Sequence, residues 1–312
     1  SRYRKEATGA LNDEQLRNLY DRLTYLRNLD EKKATVLSSI EEQGLLTDEL
    51  KAQINDAMTM VVLEDLYRPY RPKRRTKASI AKEKGLEGLA NIILLQMTKK
   101  PLHEEAKAYL NPEKEVNTIE DAINGAKDII AENISDDADY RMWIRKYTFN
   151  NGSIVSKAKD EKAESVYEMY YDYSEAVKKV PGHRVLAMNR GEAEKVLTVK
   201  ISVDEEQIIK YLESKVIVNN NENTVPQLKE AITDAFSRLI FPSIEREIRN
   251  ELTEKAEDSA INVFGKNLEQ LLLQPPVSGH VVLGWDPAFR TGCKLAVVDA
   301  TGKVLDTTVI YP

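Results

Sequence analysis

Apolar residues recur along most of the chain at the three- and four-residue spacing of an amphipathic helix. Residues 12–29 show it most clearly, and a second predicted helix ends near Gly44, which suits the left-handed position after a helix. Thr118 and Asp121 form a predicted capping box before a further apolar run. Other helices are predicted from Thr47 and at residues 61–67, 86–97, 102–109, 119–134, 136–149, 161–178, 204–214 and 225–273, the last broken at Pro242 and Gly265.

Strand-like alternation is confined to two regions. Residues 183–189 and 195–203 predict a β-hairpin around Gly191. After Pro275–Pro276, which we interpret as a linker, three further strands are predicted at residues 281–286, 293–298 and 303–310.

The order strand, acid, strand, hairpin, strand is typical of the start of an RNase H-like sheet. We therefore predict a mostly α, multi-helical body with one β-hairpin at about 183–203, followed by the first strands of an RNase H-like α/β domain. The predicted domains are residues 1–274 and 277–312. Because the chain starts without Met and ends soon after these strands, we interpret it as a fragment.

Charge is distributed unevenly. The net charge is −6, yet residues 68–84 hold eight basic residues and one acid, a local +7, so the rest of the chain carries −13. Such a concentrated positive patch favours a polyanionic partner more than a diffuse basic excess would. The single Cys293 excludes an internal disulfide, and no apolar run approaches the roughly 18 residues of a membrane span. We expect a cytoplasmic protein with no membrane partner.

The basic patch centres on residues 67–77, where two prolines favour extended backbone and two tyrosines could brace it or stack on bases. Arginine suits phosphate because its guanidinium donates two parallel hydrogen bonds. The alternative is a solvated loop whose arginines pair with nearby acidic helices. The candidate nucleic-acid-binding residues are Arg68, Arg71, Lys73, Arg74, Arg75 and Lys77.

Other candidate chemistry is sparse. Asp286 ends a predicted strand and could ligate a divalent metal, but two-metal hydrolysis requires several converging carboxylates, so we expect a turn or capping role. Four tyrosines at 167–173 predict packing of a helix face rather than base stacking. The three histidines lack metal-ligand spacing, and no phosphate-binding glycine loop is present. No metal, cofactor or small-molecule substrate is expected.

Several segments, in register, resemble one family, the Tex transcription accessory proteins. They are Arg2–Gly9, residues 63–77 continuing to Leu86, Asp172–Ser174, His183–Ala187, Arg190–Glu192 and Leu283–Lys294. The last of these is similar to the opening of that family's YqgF-type, RNase H-like domain.

The resemblance implies a bacterial, cytoplasmic, nucleic-acid-binding transcription factor related to the eukaryotic suppressor-of-Ty elongation factor. It also implies helix-hairpin-helix and OB-fold RNA-binding modules beyond this chain, with the OB-fold carrying most of the affinity. The family's RNase H-like domain is considered to lack the full acid set. Asp286 matches the first acid position and is interpreted as vestigial, and Ala288 stands where related resolvases usually have Gly.

We accordingly expect a non-enzymatic scaffold fragment of a transcription accessory factor, with RNA or DNA as its partner. Two alternatives stay open. One is a Mg²⁺-dependent RNase H-like nuclease or resolvase, and the other is a protein-interaction platform for RNA polymerase or the ribosome.

Overall fold

The computed structural model describes residue 9 and residues 11–72, 75–275 and 277–311. The chain forms two compact units, Ser1–Glu254 and Lys255–Pro312. The predicted fold class is confirmed, since a large helical body is followed by a small antiparallel sheet. The predicted division into domains at residues 274 and 277 stays a prediction, and Pro276 of the predicted linker lies outside the described residues.

The helices of the described residues mostly follow the apolar spacing. They are α1 Asp13–Glu42, α2 Asp48–Asp56, α3 Met60–Tyr67, α4 Lys77–Glu83, α5 Glu87–Leu95, α6 Leu102–Lys107, α7 Ile119–Asp136, α8 Ala138–Asn151, α9 Gly182–Ala193, α10 Glu205–Val216, α11 Val225–Asp234 and α12 Phe241–Leu272. None of these helices is both long and apolar enough to span a membrane.

Side-chain caps fix several helix starts where the sequence predicted them. Thr47 accepts a hydrogen bond from the Leu50 backbone N–H at the start of α2. At α7 the capping box is complete, with Asp121 N–H donating to Thr118 Oγ1 at 3.0 Å and Thr118 N–H donating to Asp121 Oδ2 at 2.9 Å. The first two predicted helices are one continuous helix, α1, which ends just before Gly44 with its φ of 69°.

Two groups of buried residues in the first unit support the helices on either side of residues 68–76. Buried residues of α1, α2 and α3 form one cluster, which includes Leu29, Ile40, Ile54 and Leu63. The second group centres on α7, which packs against α4, α5 and α11 and buries Ala122, Ala126, Ile129 and Ile130. Together they hold α3 and α4, the helices that precede and follow residues 68–76.

The predicted hairpin at 183–203 is wrong in its first half. Residues 183–189 lie in α9, because Val185, Met188 and Gly191 fall on one buried helical face at three-residue spacing. Gly191 is a packing position rather than a turn, since a Cβ there would lie 2.6 Å from Leu197 Cδ1.

The sheet of the first unit has three antiparallel strands in the order β2-β1-β3. These strands are β1 Ser153–Ala158, β2 Asp172–Ala176 and β3 Leu197–Ser202. The helix predicted at 161–178 is therefore wrong, because the segment holds only a short 3₁₀ turn, Glu168–Tyr170, and β2. The three-residue spacing of its tyrosines arises from that turn and strand.

The breaks predicted at Pro242 and Gly265 are also wrong. A π-helical turn, Ala235–Ile240, joins α11 to α12, and Pro242 follows it in the first turn of α12. A proline lacks a backbone N–H and crowds the preceding turn, and the wider π spacing accommodates this without ending the helix. Gly265 does not end the helix either, because α12 continues past it to Leu272.

In the second unit, the three predicted strands are present as β4 Val282–Asp286, β5 Cys293–Val298 and β6 Val304–Ile310. They pair antiparallel in the order β4-β5-β6. Asp299 shapes the β5–β6 turn, because its Oδ1 accepts from the N–H groups of Thr301 and Lys303. The Thr301 hydroxyl, which also donates to Oδ1 at 2.7 Å, and then these backbone N–H groups lower the pKa of Asp299.

Candidate nucleic-acid interface

The basic loop, residues 68–77, runs from the end of α3 to Lys77, the first residue of α4, whose N-cap is Thr76. The start of the loop, next to α3, is fixed to the core. Tyr67 and Tyr70 pack against the α1–α3 cluster, and the Tyr67 hydroxyl lies 3.1 Å from Ser39 Oγ. Gln43 Nε2 donates to the Tyr70 carbonyl at 3.0 Å. Both tyrosines therefore brace the loop, which was one of the two roles the sequence left open.

Of the four candidate cations that the structure describes, Arg71, Arg75 and Lys77 are exposed to solvent. The Arg71 side chain is 66% exposed, and its Nη1 lies 3.8 Å from Glu64 Oε2. An exposed pair at that distance contributes little and leaves the guanidinium accessible. Lys73 and Arg74 lie outside the described residues.

Arg68 differs from these three cations because it is held against the protein. Its side chain is 37% exposed, and its Nε lies 3.5 Å from Asp136 Oδ1 at the end of α7. Burial, followed by the charge of Arg141, holds the pKa of Arg68 below its ordinary value. This side chain therefore belongs partly to the structural ion pairs next to the loop.

A network of buried charges lies one helical turn before Arg68. Arg141 Nε donates to Asp65 Oδ1 at 2.8 Å, and Arg145 Nη1 lies 2.8 Å from Asp65 Oδ2. The same arginines reach Glu247 of α12, with Arg141 Nη2 donating to its Oε1 at 3.1 Å and Arg145 Nε to its Oε2 at 2.9 Å. Two arginines of α8 thus join α3 to α12 and fix the end of α3 from which the loop starts.

Sequence reasoning missed this network. The sequence feature that could have predicted it is the i, i+4 spacing of Arg141 and Arg145 around the buried Ile144. This spacing places both arginines toward the core side of α8. Asp65 gives a second signal, since it is a buried acid within the apolar helix α3.

A surface cleft of about 530 Å³ opens beside the loop. The loop side contributes Arg68, Arg71, Pro72 and Thr76, α7 contributes Glu132, Ser135 and Asp136, and the π-helical turn contributes Leu239. The cleft therefore has cations on one structural element and carboxylates on another.

Asp286, the candidate catalytic residue, is the last residue of β4 and is exposed. In the antiparallel pair it lies opposite Lys294 of β5. Among the residues that the structure describes, no three His, Cys, Asp or Glu side chains are grouped so that they could hold a metal ion. Cys293 is buried, as predicted for a small apolar side chain within a strand.

The tyrosines at 167–173 pack within the first unit, as predicted, although not on a helix. Tyr167 and Tyr170 are buried, and the Tyr173 ring meets the Tyr170 ring edge-on at 5.4 Å. The Tyr173 hydroxyl accepts from Arg184 Nη1 at 2.9 Å. These rings are engaged in packing and do not form part of the basic loop.

Comparison with protein families matches three successive parts of the chain. Residues 1–41 match the Tex-like protein N-terminal domain, residues 96–264 the Tex central region-like family, and residues 280–312 the Tex protein YqgF-like domain. The central match alone covers more than half of the chain.

Similar proteins are found in bacteria and in animals. The chain is 52% identical over 315 residues to the uncharacterized protein YdcI of Bacillus subtilis, covering 100% of this chain and 44% of the relative. It is 42% identical over 319 residues to the transcriptional accessory protein Tex of Neisseria gonorrhoeae, covering 100% of this chain and 42% of the relative. For the human S1 RNA-binding domain-containing protein 1, identity is 32% over 328 residues, covering 99% of this chain and 32% of the relative. The chain thus spans less than half the length of these relatives.

Proposed function

Because this chain belongs to the Tex family, we propose that it is a nucleic-acid-binding scaffold of a transcription accessory factor, whose basic loop contacts phosphates. The observation that carries this proposal is the exposure of Arg71, Arg75 and Lys77 on a chain of net charge −6. The names of two relatives, a transcriptional accessory protein and an S1 RNA-binding domain-containing protein, support a role with nucleic acid.

The physical basis is electrostatic. Phosphates of a nucleic acid are attracted to a site where cations are concentrated, and each neutralised phosphate releases condensed counterions. Because Tyr67 and Tyr70 already pack on the core, the start of the loop is held in place and loses less conformational entropy when it binds. The helical body then acts as the support that holds the cations in place.

The direct test is the affinity of the 312-residue chain for a fluorescein-labelled single-stranded RNA of 20 nucleotides, measured by fluorescence anisotropy at fixed salt. We expect the triple variant Arg71→Ala, Arg75→Ala, Lys77→Ala to raise the Kd roughly 10- to 100-fold, because about three phosphate contacts are lost. Its fold should be retained, because these side chains are exposed.

The matched control removes three exposed cations elsewhere: Lys51→Ala, Lys99→Ala, Lys100→Ala. It changes the net charge by the same amount and should change the Kd by less than about threefold. Equal weakening by the two triple variants would show that only net charge matters and would overturn the assignment of the loop.

We also propose that this chain does not hydrolyse nucleic acid. The proposal is supported by Asp286, an exposed carboxylate whose strand neighbour is Lys294, since two-metal hydrolysis requires several converging carboxylates. Incubation with labelled RNA and DNA in Mg²⁺ or Mn²⁺ should leave both intact. Metal-dependent cleavage that Asp286→Asn abolishes would establish the nuclease alternative instead.

Docking to RNA polymerase or the ribosome is the remaining alternative. Pull-downs with the immobilised wild-type chain and with the immobilised triple loop variant would distinguish such docking from direct nucleic-acid binding. Both are treated with nuclease, so that bridging nucleic acid is removed. On our proposal, neither bait retains polymerase or ribosomes after this treatment.

A further inference from the structure

A second surface cleft, of about 520 Å³, lies between β3 and the first half of α12. Thr198 and Lys200 of β3 line one side of it, and Arg246 and Asn250 of α12 line the other. Lys200, Arg246 and Asn250 are exposed to solvent. Polar side chains of two elements thus converge on this space, which we call the β3–α12 cleft.

Side-chain hydrogen bonds to the strand edge fix α12 against β3. Glu245 Oε1 accepts from the Ile201 N–H at 2.7 Å, and Arg249 Nη1 donates to the Val199 carbonyl at 3.1 Å. Because these bonds hold the two elements together in the folded chain, the β3–α12 cleft is formed before any ligand binds.

The periodicity of both elements explains which side chains face the cleft. Side chains alternate along a strand, so Thr198 and Lys200 share one face of β3, opposite to that of the buried Val199. Arg246 and Asn250 are about one turn apart on α12 and share a helix face. Together the four side chains present a hydroxyl, an ammonium, a guanidinium and an amide, and all of these groups donate hydrogen bonds.

The two cations and the amide of the cleft are open. Within the part of the chain that the structure describes, the side chains of Lys200, Arg246 and Asn250 have no hydrogen-bond or ion-pair partner. No acid lies three or four residues from Arg246 along α12, so its own helix offers no carboxylate to the guanidinium. A ligand can therefore pair with both cations without displacing an existing partner.

The carboxylates of the cleft, in contrast, are already engaged. Glu192 Oε2 pairs with Arg249 Nη2, and Glu245 accepts from the edge of β3. The lining holds three cations, Lys200, Arg246 and Arg249, against these two carboxylates, which leaves a net charge of +1. The cleft therefore attracts an anion at its exposed, cationic side.

A phosphodiester matches this set of donors. Arginine donates two parallel hydrogen bonds to phosphate oxygens, and lysine supplies a point charge. Hydroxyl and amide side chains such as those of Thr198 and Asn250 are also common donors to the phosphates of nucleic acids. The donor set contacts the backbone of a strand and carries no selection for a base.

The β3–α12 cleft also lies on a continuation of the helix face beside the basic loop. Leu239 lines the cleft next to the loop, and Arg246 and Asn250 follow it by 7 and 11 positions, the spacing of one helix face. At a rise of 1.5 Å per residue, Arg246 lies about 10 Å further along the helix, or roughly three nucleotides of a helical strand. A strand that contacts the loop can therefore reach the second cleft within a few nucleotides.

We propose that the β3–α12 cleft is a second phosphate-binding site, which holds the backbone of the same single strand that the basic loop contacts. Lys200 and Arg246 neutralise phosphates, and Thr198 and Asn250 donate hydrogen bonds to phosphate oxygens. The inference rests on the proposed function, because it requires the chain to bind a nucleic-acid strand.

The test is the double variant Lys200→Ala, Arg246→Ala, measured by fluorescence anisotropy with the fluorescein-labelled 20-nucleotide RNA across a salt series. We expect the Kd to rise roughly 5- to 30-fold, and the plot of log K against log salt concentration to become shallower by about 1.4, since two phosphate contacts to a single strand are lost. Its melting temperature should stay close to that of the wild-type chain, because both side chains are exposed and unpaired.

Two controls separate a site from a general effect of charge. The variant Lys99→Ala, Lys100→Ala removes two exposed cations elsewhere and should keep the wild-type slope, with a Kd within about threefold. Arg246→Lys retains the charge and should retain most of the affinity that Arg246→Gln loses.

The outcomes for the cleft and for the loop are distinguishable. Unchanged Kd and slope in Lys200→Ala, Arg246→Ala, with weakening by the triple loop variant, overturn the cleft and leave the proposed function intact. Weakening by the cleft variant alone supports the cleft and overturns the assignment of the loop. Absence of RNA binding by the wild-type chain overturns both proposals.

A further competition tests the chemical class of the ligand. Unlabelled RNA of 20 nucleotides should displace the labelled RNA from the wild-type chain, whereas poly-glutamate of 20 residues should not do so at the same concentration. Equal displacement by poly-glutamate would show that the cleft accepts any polyanion and would overturn its assignment to phosphates.

Discussion

Arg141 carries its guanidinium into the interior of the first unit, where the side chain has no solvent exposure. Its hydrogen bonds go to Asp65 of α3 and to Ser243 and Glu247 of α12, so two helices depend on one side chain of α8. A charge in such a place is tolerated because its partners replace the lost hydration. The same arrangement makes each partner costly to remove, because the others are left buried and uncompensated.

We predict that Arg141→Met lowers the free energy of unfolding by about 3–5 kcal/mol, the usual cost of breaking a buried ion pair from one side. Urea denaturation followed by circular dichroism measures it. The control is Arg17→Met, at an exposed position of α1, which should shift stability by less than about 0.5 kcal/mol. A loss below about 1 kcal/mol for Arg141→Met would mean that the network contributes little to stability.

At this scale, the sequence predicts the loop cations but not their different roles. Composition alone locates Arg71, Arg75 and Lys77, because six cations among eleven residues stand out in an acidic chain. The role of Arg68 depends on Asp136 and on a network in which Arg141 and its hydrogen-bond partner Glu247 are 106 positions apart. Contacts of that separation leave no local pattern, so they become visible only in the folded chain.

Strand β3 lies at an edge of the three-stranded sheet in the described part of the chain, and charged side chains take the place of a fourth strand. The Ile201 N–H donates to Glu245 Oε1 at 2.7 Å, and the Val199 N–H donates to Glu192 Oε1 at 3.2 Å. Although burial opposes its ionisation, the hydrogen bond and charge of Arg249 lower the pKa of Glu192. These carboxylates satisfy the strand edge and protect it against pairing with another chain.

We predict that Glu245→Ala speeds exchange of the Ile201 amide hydrogen by roughly 5- to 100-fold, because a lost partner for a buried N–H costs about 1–3 kcal/mol. Hydrogen exchange followed by NMR or mass spectrometry measures it. Glu245→Gln keeps a carbonyl acceptor and serves as the matched control, with exchange close to the wild-type rate. Unchanged protection in Glu245→Ala would show that β3 does not depend on this carboxylate.

Among the elements, periodicity and capping predict the long helices well, and short segments poorly. α7 was predicted with its capping box because both signals agree over eighteen residues. The pattern in residues 183–189 predicts a strand although they are helical, and it does not predict β1. A run of six or seven residues is too short to distinguish the helical period of 3.6 residues from the strand period of two. Burial against Leu197 and Tyr167 selects the helix at Gly191, and that contact is absent from the local sequence.

At the scale of the whole chain, charge is distributed unevenly along the sequence, and this asymmetry is the basis of the functional proposal. Residues 68–84 carry +7 while the rest of the chain carries −13. A polyanion is therefore attracted locally and repelled elsewhere, which favours one orientation of a bound strand. The uneven distribution of charge can be predicted from the sequence. The carboxylates that line the cleft beside the loop can be identified only in the folded chain.

The measurement that tests this account most directly is the salt dependence of RNA binding by the wild-type chain and by the triple variant Arg71→Ala, Arg75→Ala, Lys77→Ala. If these side chains neutralise phosphates, a plot of log K against log salt concentration should be shallower for the variant by about 2, since each contact to a single strand contributes roughly 0.7. The control Lys51→Ala, Lys99→Ala, Lys100→Ala should keep the wild-type slope. Parallel lines for the wild-type chain and the loop variant would contradict the account, because the loop would then neutralise no phosphates.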